Sequence, residues 1–163
     1  MDVVMFIGSE SDFEIVKDAL EILKKFEVPF ALEITSAHRS PDRTHKLVRR
    51  YEEEGAEVFI AVAGKAAHLA GVVASHTVRP VIGVPVESAG LGGLDALLST
   101  VQMPKGIPVA TMGTGKTGAS NAALLAVEIL GLKKPALRAK LLDHKKKMAA
   151  QVEADSEKLK KSL

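Results

Sequence analysis

Several loops of this sequence bring together side chains able to do chemistry, and each follows a short apolar run. The first is Gly8-Ser9-Glu10-Ser11-Asp12. Two hydroxyls, a glycine and the unpaired N–H groups of a starting helix make a setting for an anion such as a phosphate. Ser11 with Glu14 three residues on also reads as a capping box, which needs no ligand. Asp12 would repel a phosphate, so its better role is to accept hydrogen bonds from sugar hydroxyls. The second segment is Ser36-Ala37-His38-Arg39-Ser40-Pro41-Asp42, with Ser40 as a helix N-cap and Pro41 at the first helical position. An imidazole in so short a connection can move protons near neutral pH, and a guanidinium can clamp a phosphate. A surface His beside a surface Arg is the plainer reading. The position at a strand's carboxyl end, level with the Ser9 loop, favours function.

The third segment, Gly64-Lys65-Ala66-Ala67-His68-Leu69-Ala70-Gly71, places small residues where a strand turns into a helix and lets a ligand approach the backbone. His68 there has the setting of a buried, satisfied core histidine. His45, His76 and His144 lack comparable surroundings and read as surface or packing residues. Met112 to Gly118 offers two temptations. Gly115-Lys116-Thr117 mimics the end of a Walker A loop, but that motif needs glycine at position 110 and the chain has Ala110. Gly113, Gly115 and Gly118 match G-x-G-x-x-G, yet no later strand follows to carry the acidic ribose ligand. The remaining job is a tight turn that permits close backbone approach to a ligand or a neighbour. The glycines of Gly90 to Asp95 and the segment Val101 to Gly106 suggest loops that fold over something or meet another subunit.

The elements that must position these loops alternate along the chain. Strands are expected at Val3 to Ile7, Ala31 to Thr35, Val58 to Ala63, Pro80 to Val84 and Ile107 to Thr111. Helices are expected at Ser11 to Phe26, Pro41 to Glu54, Ala66 to His76, Gly93 to Val101 and Thr117 to Leu130, with a tail helix from Pro135. Continuous β-branched runs between helical patterns predict an α/β fold with a parallel sheet covered on both faces. Right-handed crossovers then give an open doubly wound sheet that binds ligands beyond the carboxyl ends of its strands.

Composition narrows the class. A chain of 163 residues that is 47% hydrophobic and 26% charged makes one globular domain. Cys is absent, which excludes a disulfide framework, a thiol nucleophile, an iron–sulfur centre and the usual zinc sites. No Trp, one Tyr and five Phe leave little stacking surface for nucleic-acid bases. No basic leader opens the chain and no apolar run approaches the roughly 20 residues of a membrane span, so the expectation is a cytoplasmic protein. Residues 133–163 carry ten Lys or Arg against four Asp or Glu, and the rest of the chain is acidic. Leu137, Leu141, Met148, Val152 and Leu159 form a narrow helical stripe on that tail. The stripe suits packing on a neighbouring subunit better than binding a polyanion. The expected division is an α/β domain over 1–132 and a helical extension over 133–163 that contacts another subunit. From spacing alone, the sequence supports a phosphorylated small-molecule site with one acid–base histidine.

The blocks GSESD, SAHRSPD, AGKAAHLAG, PVIGVPV, GLDALLSTVQMPKGIPVAT and GASNAALLA occur in this order between Val3 and about Leu130. Together they resemble the N5-carboxyaminoimidazole ribonucleotide mutase family of purine biosynthesis, also called the catalytic subunit of phosphoribosylaminoimidazole carboxylase. The resemblance implies a three-layer α/β/α sandwich of flavodoxin-like order and a homo-octamer with sites at subunit interfaces. It implies an isomerase, free of cofactor and metal, that moves a carboxylate from the exocyclic nitrogen of an aminoimidazole ribonucleotide to ring carbon 4. His38 then stands at the proton-handling position. Ser9, Ser11 and Arg39 fall where the family holds the phosphate, and Asp12 where it holds the ribose. Ser36, Gly64, Lys65, His68 and Leu69 fall along the base and carboxylate pocket.

The chain departs from the family's usual GGAAHLPG at the third loop, where Lys65 replaces the second glycine and Ala70 the proline. A lysine there could favour a carboxylate or a CO2 adduct, or could point to solvent. The related direct carboxylases, which join CO2 to aminoimidazole ribonucleotide itself, carry SAHK and a GRSN-like third loop. SAHR with AAHL sides with the mutases. The direct carboxylase stays as the near alternative. A nucleotide-binding oligomeric module without catalysis is the alternative of another class, and a P-loop NTPase is more distant.

Overall fold

The computed structural model describes residues 1–88 and 90–163. Strands β1 (Val3–Ile7), β2 (Phe30–Ile34), β3 (Val58–Gly64), β4 (Val81–Val86) and β5 (Ala110–Thr111) form one sheet in the order β2-β1-β3-β4-β5, parallel throughout. The helices are α1 (Phe13–Lys25), α2 (Pro41–Glu53), α3 (Leu69–Ser75), α4 (Leu94–Val101), α5 (Gly115–Gly131) and α6 (Pro135–Lys160). This is the expected five-stranded, doubly wound α/β sandwich. Among the described residues, no helix is long and apolar enough to cross a membrane.

Why the central strands read as unbroken apolar runs is visible in β3. Val58, Ile60 and Val62 face one core with α1, α5 and the start of α6, while Phe59 and Ala61 face the other with α2 and α3. Alternate side chains of a strand point to opposite faces, and here both faces are covered. Phe6 and Phe59 stack at 5.8 Å in the second core, on neighbouring strands. The chain leaves β1 toward β2 and later returns past β1 to β3, so strand order reverses between β1 and β3. A crevice opens at the carboxyl ends there.

The elements differ from expectation mainly at their ends, each for a local reason. A 3-10 turn, Glu10–Asp12, precedes α1, and the cap lies on Ser9 and Asp12 instead of Ser11 and Glu14. Glu14 pairs with Lys17. Helix α3 starts at Leu69, not Ala66, because Lys65 takes a left-handed conformation (φ 57) and the His68 N–H closes a separate turn on the Ala66 carbonyl at 2.8 Å. β5 shrinks to two residues, since Pro108 has no N–H to donate and the Ile107 N–H is spent on the Pro104 carbonyl. The tail stripe divides. Leu137 and Leu141 are buried against the first core, whereas Met148, Val152 and Leu159 are exposed.

The G-x-G-x-x-G pattern has a packing explanation within the chain. A Cβ placed on Gly118 would lie 1.6 Å from the Gly113 carbonyl oxygen. Only glycine lets α5 begin directly under its own preceding turn, and Gly115 there holds φ +67. The expected consequence is that Gly118→Ala destabilises the protein by about 2–3 kcal/mol through forced backbone movement. Chemical denaturation of the two proteins measures it, and an unchanged midpoint contradicts the packing role.

Candidate active site

Four loops at the carboxyl ends of β1 to β4 line one cleft of about 640 Å³. That volume is ordinary for a small-molecule site. Gly8, Ser9, Ser11 and Asp12 come from the first loop, and Ser36, His38 and Arg39 from the second. Gly64, Lys65, His68 and Leu69 come from the third. His38 and the residues that the resemblance places at the phosphate, ribose, base and carboxylate therefore border the same space, whereas segments 90–95, 101–106 and 112–118 do not line it.

The first loop is a compact hydroxyl cluster. Asp12 Oδ2 accepts from the Ser9 N–H at 3.0 Å and from the Ser9 hydroxyl at 3.3 Å. The Ser9 and Ser11 hydroxyls lie 2.6 Å apart. Asp12 thus spends one oxygen on its own loop, and its other oxygen takes no bond from the described residues.

The second loop is fixed from within. The Ser40 hydroxyl accepts from the Ser36 N–H at 3.0 Å, and the Ser36 hydroxyl accepts from the Arg39 N–H at 3.2 Å. Beneath them, the hydroxyls of Thr35 and Thr44 meet at 2.8 Å, both residues being buried. Arg39 reaches across to β1 and donates to the Gly8 carbonyl at 2.8 Å. This ties the second loop to the first and leaves His38 held on a short arc between Ser36 and Ser40.

In the third loop, a Cβ on Gly64 would stand 3.0 Å from the Val86 carbonyl oxygen, so glycine keeps the ends of β3 and β4 close. His68 is not the buried core histidine that its apolar surroundings predicted. It is exposed, and its Nδ1 lies 2.7 Å from His38 Nε2 with the rings at 72°. A contact of that length needs one N–H and one lone pair, so the two rings share a single proton between these atoms. His38 Nδ1 and His68 Nε2 remain for a ligand or water.

Sequence reasoning missed the fourth loop. Val86, Glu87 and Ser88 also line the cleft, and the Ser88 hydroxyl, though shielded from solvent, has no hydrogen-bond partner among the described residues. The available signal was two polar residues directly after a strand that itself reads as fully buried. The remaining histidines lie elsewhere. His45 of α2 stacks on His76 at the end of α3, centroids 4.3 Å apart. Burial, then the neighbouring His45 and Arg49, hold the His76 imidazole below its usual range. His144 meets Phe26 edge-on. Among the described residues, no group of three or more His, Asp or Glu side chains is placed to hold a metal.

One polar cluster outside the cleft sets the direction of its second loop. Glu33 on edge strand β2 takes Arg43 Nη2 at 2.8 Å, Arg50 Nη2 at 2.9 Å and the Tyr51 hydroxyl at 2.8 Å, all from α2. Burial works to raise the Glu33 carboxyl, but Tyr51, Arg50 and Arg43 together outweigh it and leave it below its ordinary value of 4.5. A carboxylate depressed in the folded state contributes stability above its unfolded pKa, and that contribution is lost as pH falls through the folded value. Thermal unfolding of wild type and Glu33→Gln checks this. The wild-type advantage is expected to be constant above about pH 5 and to shrink steadily below about pH 4.5. Parallel curves across that window contradict the assignment.

Comparison with known proteins identifies the family. The family described as AIR carboxylase matches residues 2–151. The chain is 51% identical over 158 residues to the N5-carboxyaminoimidazole ribonucleotide mutase of Methanocaldococcus jannaschii, covering 97% of each chain. It is 47% identical over 150 residues to the protein of the same name from Escherichia coli, covering 92% of this chain and 89% of that one. The crystal structure of Treponema denticola PurE matches with a TM-score of 0.88 at 28% identity, over 96% of this chain and 97% of that one.

Proposed function

The chain belongs to the AIR carboxylase family and is an enzyme of the N5-carboxyaminoimidazole ribonucleotide mutase type; we propose that its isomerisation runs in this cleft with His38 as the proton shuttle. The observation that carries the proposal is the 2.7 Å bond between His38 Nε2 and His68 Nδ1, made at the open face of the cleft by two loops that flank β1.

The chemistry is balanced without a cofactor. The carbamate C–N bond breaks to release CO2, and the nitrogen takes a proton. Ring carbon 4 attacks the CO2 and gives up its own proton as the ring recovers its aromaticity. One proton is given and one recovered, so a single histidine in contact with both atoms suffices. His68 extends that histidine into a pair, so a proton can enter at one outer nitrogen and leave at the other. CO2 binds weakly and hydrates in open water, so the enzyme must hold it beside carbon 4. Recombination is then a unimolecular step.

The remaining roles follow the loops. Ser9, Ser11 and Arg39 hold the phosphate, where the hydroxyl cluster and the one guanidinium among the described lining residues meet. Asp12 accepts from the ribose hydroxyls. Ser36, Gly64, Lys65, His68 and Leu69 border the base and the migrating carboxylate.

The assembly is a homo-octamer in the cytoplasm, with sites at subunit interfaces. Exposed Leu91, Leu94, Leu98 and Val101 along and beside α4 support this assembly. So do Met148, Val152 and Leu159 on the outer half of α6, which is assigned to subunit contact.

His38→Asn is expected to bind substrate within about threefold of wild type and to lose at least about 100-fold in kcat, the usual range for a positioned acid–base group. Turnover within tenfold of wild type contradicts the shuttle. The companion assay offers the N5-carboxylated ribonucleotide without ATP, or aminoimidazole ribonucleotide with bicarbonate. Faster conversion of the first is expected, and a clear preference for the second assigns direct carboxylation.

A further inference from the structure

We propose that Lys65 holds the migrating carboxylate and is the residue by which this enzyme distinguishes carboxylated from uncarboxylated ribonucleotide. The inference rests on the mutase reading and deepens it at one position.

Three observations carry it. First, Lys65 lines the cleft in the turn between Gly64 and Ala66, three residues before His68. Its ammonium therefore belongs to the loop that supplies one of the paired imidazoles. Second, Lys65 takes φ 57, the left-handed conformation that costs a lysine backbone energy and a glycine none. Glu27 takes the same φ outside the cleft, so the strain counts here because this turn also lines the cleft. Third, the ammonium is unspent. No carboxylate of the described residues lies within ion-pair distance of it, although thirteen such contacts involve other side chains.

Charge completes the case. Arg39 and Lys65 are the two Arg or Lys side chains among the described lining residues. Arg39 is tied to the Gly8 carbonyl on the hydroxyl side of the cleft. The substrate carries two anionic groups, a phosphate and a carboxylate. With the guanidinium tied to Gly8 and placed at the phosphate, the untied ammonium on the loop of His68 is left for the carboxylate. The attraction acts on the carboxylated ground states and vanishes while the group is neutral CO2. Lys65 therefore favours capture of substrate and does not assist the chemical step.

The test uses full-length wild type, Lys65→Gly and Lys65→Arg. Glycine removes the charge and relieves the backbone, so thermal stability within a few degrees of wild type shows that the variant folds. Calorimetric titration with 4-carboxyaminoimidazole ribonucleotide is expected to show about tenfold weaker binding to Lys65→Gly, the scale of one charge-assisted hydrogen bond. Aminoimidazole ribonucleotide is expected to bind both proteins within twofold, and Lys65→Arg to recover most of the lost affinity. In steady state, Lys65→Gly is expected to raise KM while kcat does not fall. Equal weakening of both ligands, or of neither, overturns the inference while leaving the mutase reading intact. Wild type that binds neither ligand and shows no turnover overturns the mutase reading and this inference with it.

Discussion

The contact on which the site depends is the single hydrogen bond between His38 and His68, 2.7 Å long and spanning 30 residues of sequence. Its two partners do not come from adjacent strands. β2 and β3 flank β1, so the bond passes over the end of the strand where winding reverses. For two imidazoles to meet there, β2 must be held against α2 by Glu33, and the Ser36–Ser40 arc must be closed by its hydroxyls. The glycine at position 64 must also let the third loop turn close to β4. Each device lies outside the imidazole pair, and each fixes one loop end. Preorganisation of the pair is distributed over the sheet edge, the loop and the turn.

The same view explains which parts of the site could be read from the chain. Expected strand ends at Ile7, Thr35 and Ala63, each followed by a short segment holding Ser, His, Gly or Lys, place the candidate loops by the rules of open parallel sheets. The pairing of His38 with His68 was not legible, because it depends on strand order and no local pattern encodes that. Apolar neighbours made His68 look buried, yet its ring points out of the turn that Lys65 creates. The cap on Ser9 and Asp12 was missed for a related reason. Ser11 and Glu14 satisfy the capping pattern equally well, and only the short 3-10 turn decides between them. Glu87 and Ser88 escaped notice because the expected strand ends at Val84, whereas β4 runs on through Pro85 to Val86. β5 pairs only Ile82 and Gly83, so the missing N–H at Pro85 forgoes no bond on that side.

Glycine shows how one residue type serves unlike ends. Gly118 is required by its own preceding turn, a packing demand within the chain. Gly64 is favoured by the close approach of a neighbouring strand, and that approach shapes the loop that borders the cleft. The sequence presents both as glycines between a strand and a helix. What separates them is the atom a Cβ would meet, the carbonyl of Gly113 in one case and that of Val86 in the other.

The two cations of the cleft are built for different demands. Arg39 donates to Gly8 and to the Ser36 hydroxyl, so its planar fork stands in a fixed orientation. Such a group suits an anion that keeps its place from substrate to product, as a phosphate does. The carboxylate leaves one atom, passes through an uncharged molecule and ends on another. A pinned guanidinium aimed at either end state would stabilise that state over the other and tilt the equilibrium on the enzyme. A compact ammonium on a long, untied stem can follow the group between both positions. Because its attraction falls away at the CO2 stage, stronger binding would deepen both ground states and slow the reaction of saturated enzyme. The useful attraction is modest, and a lysine without a fixed partner, at the exposed edge of the cleft, is suited to supply one of that size.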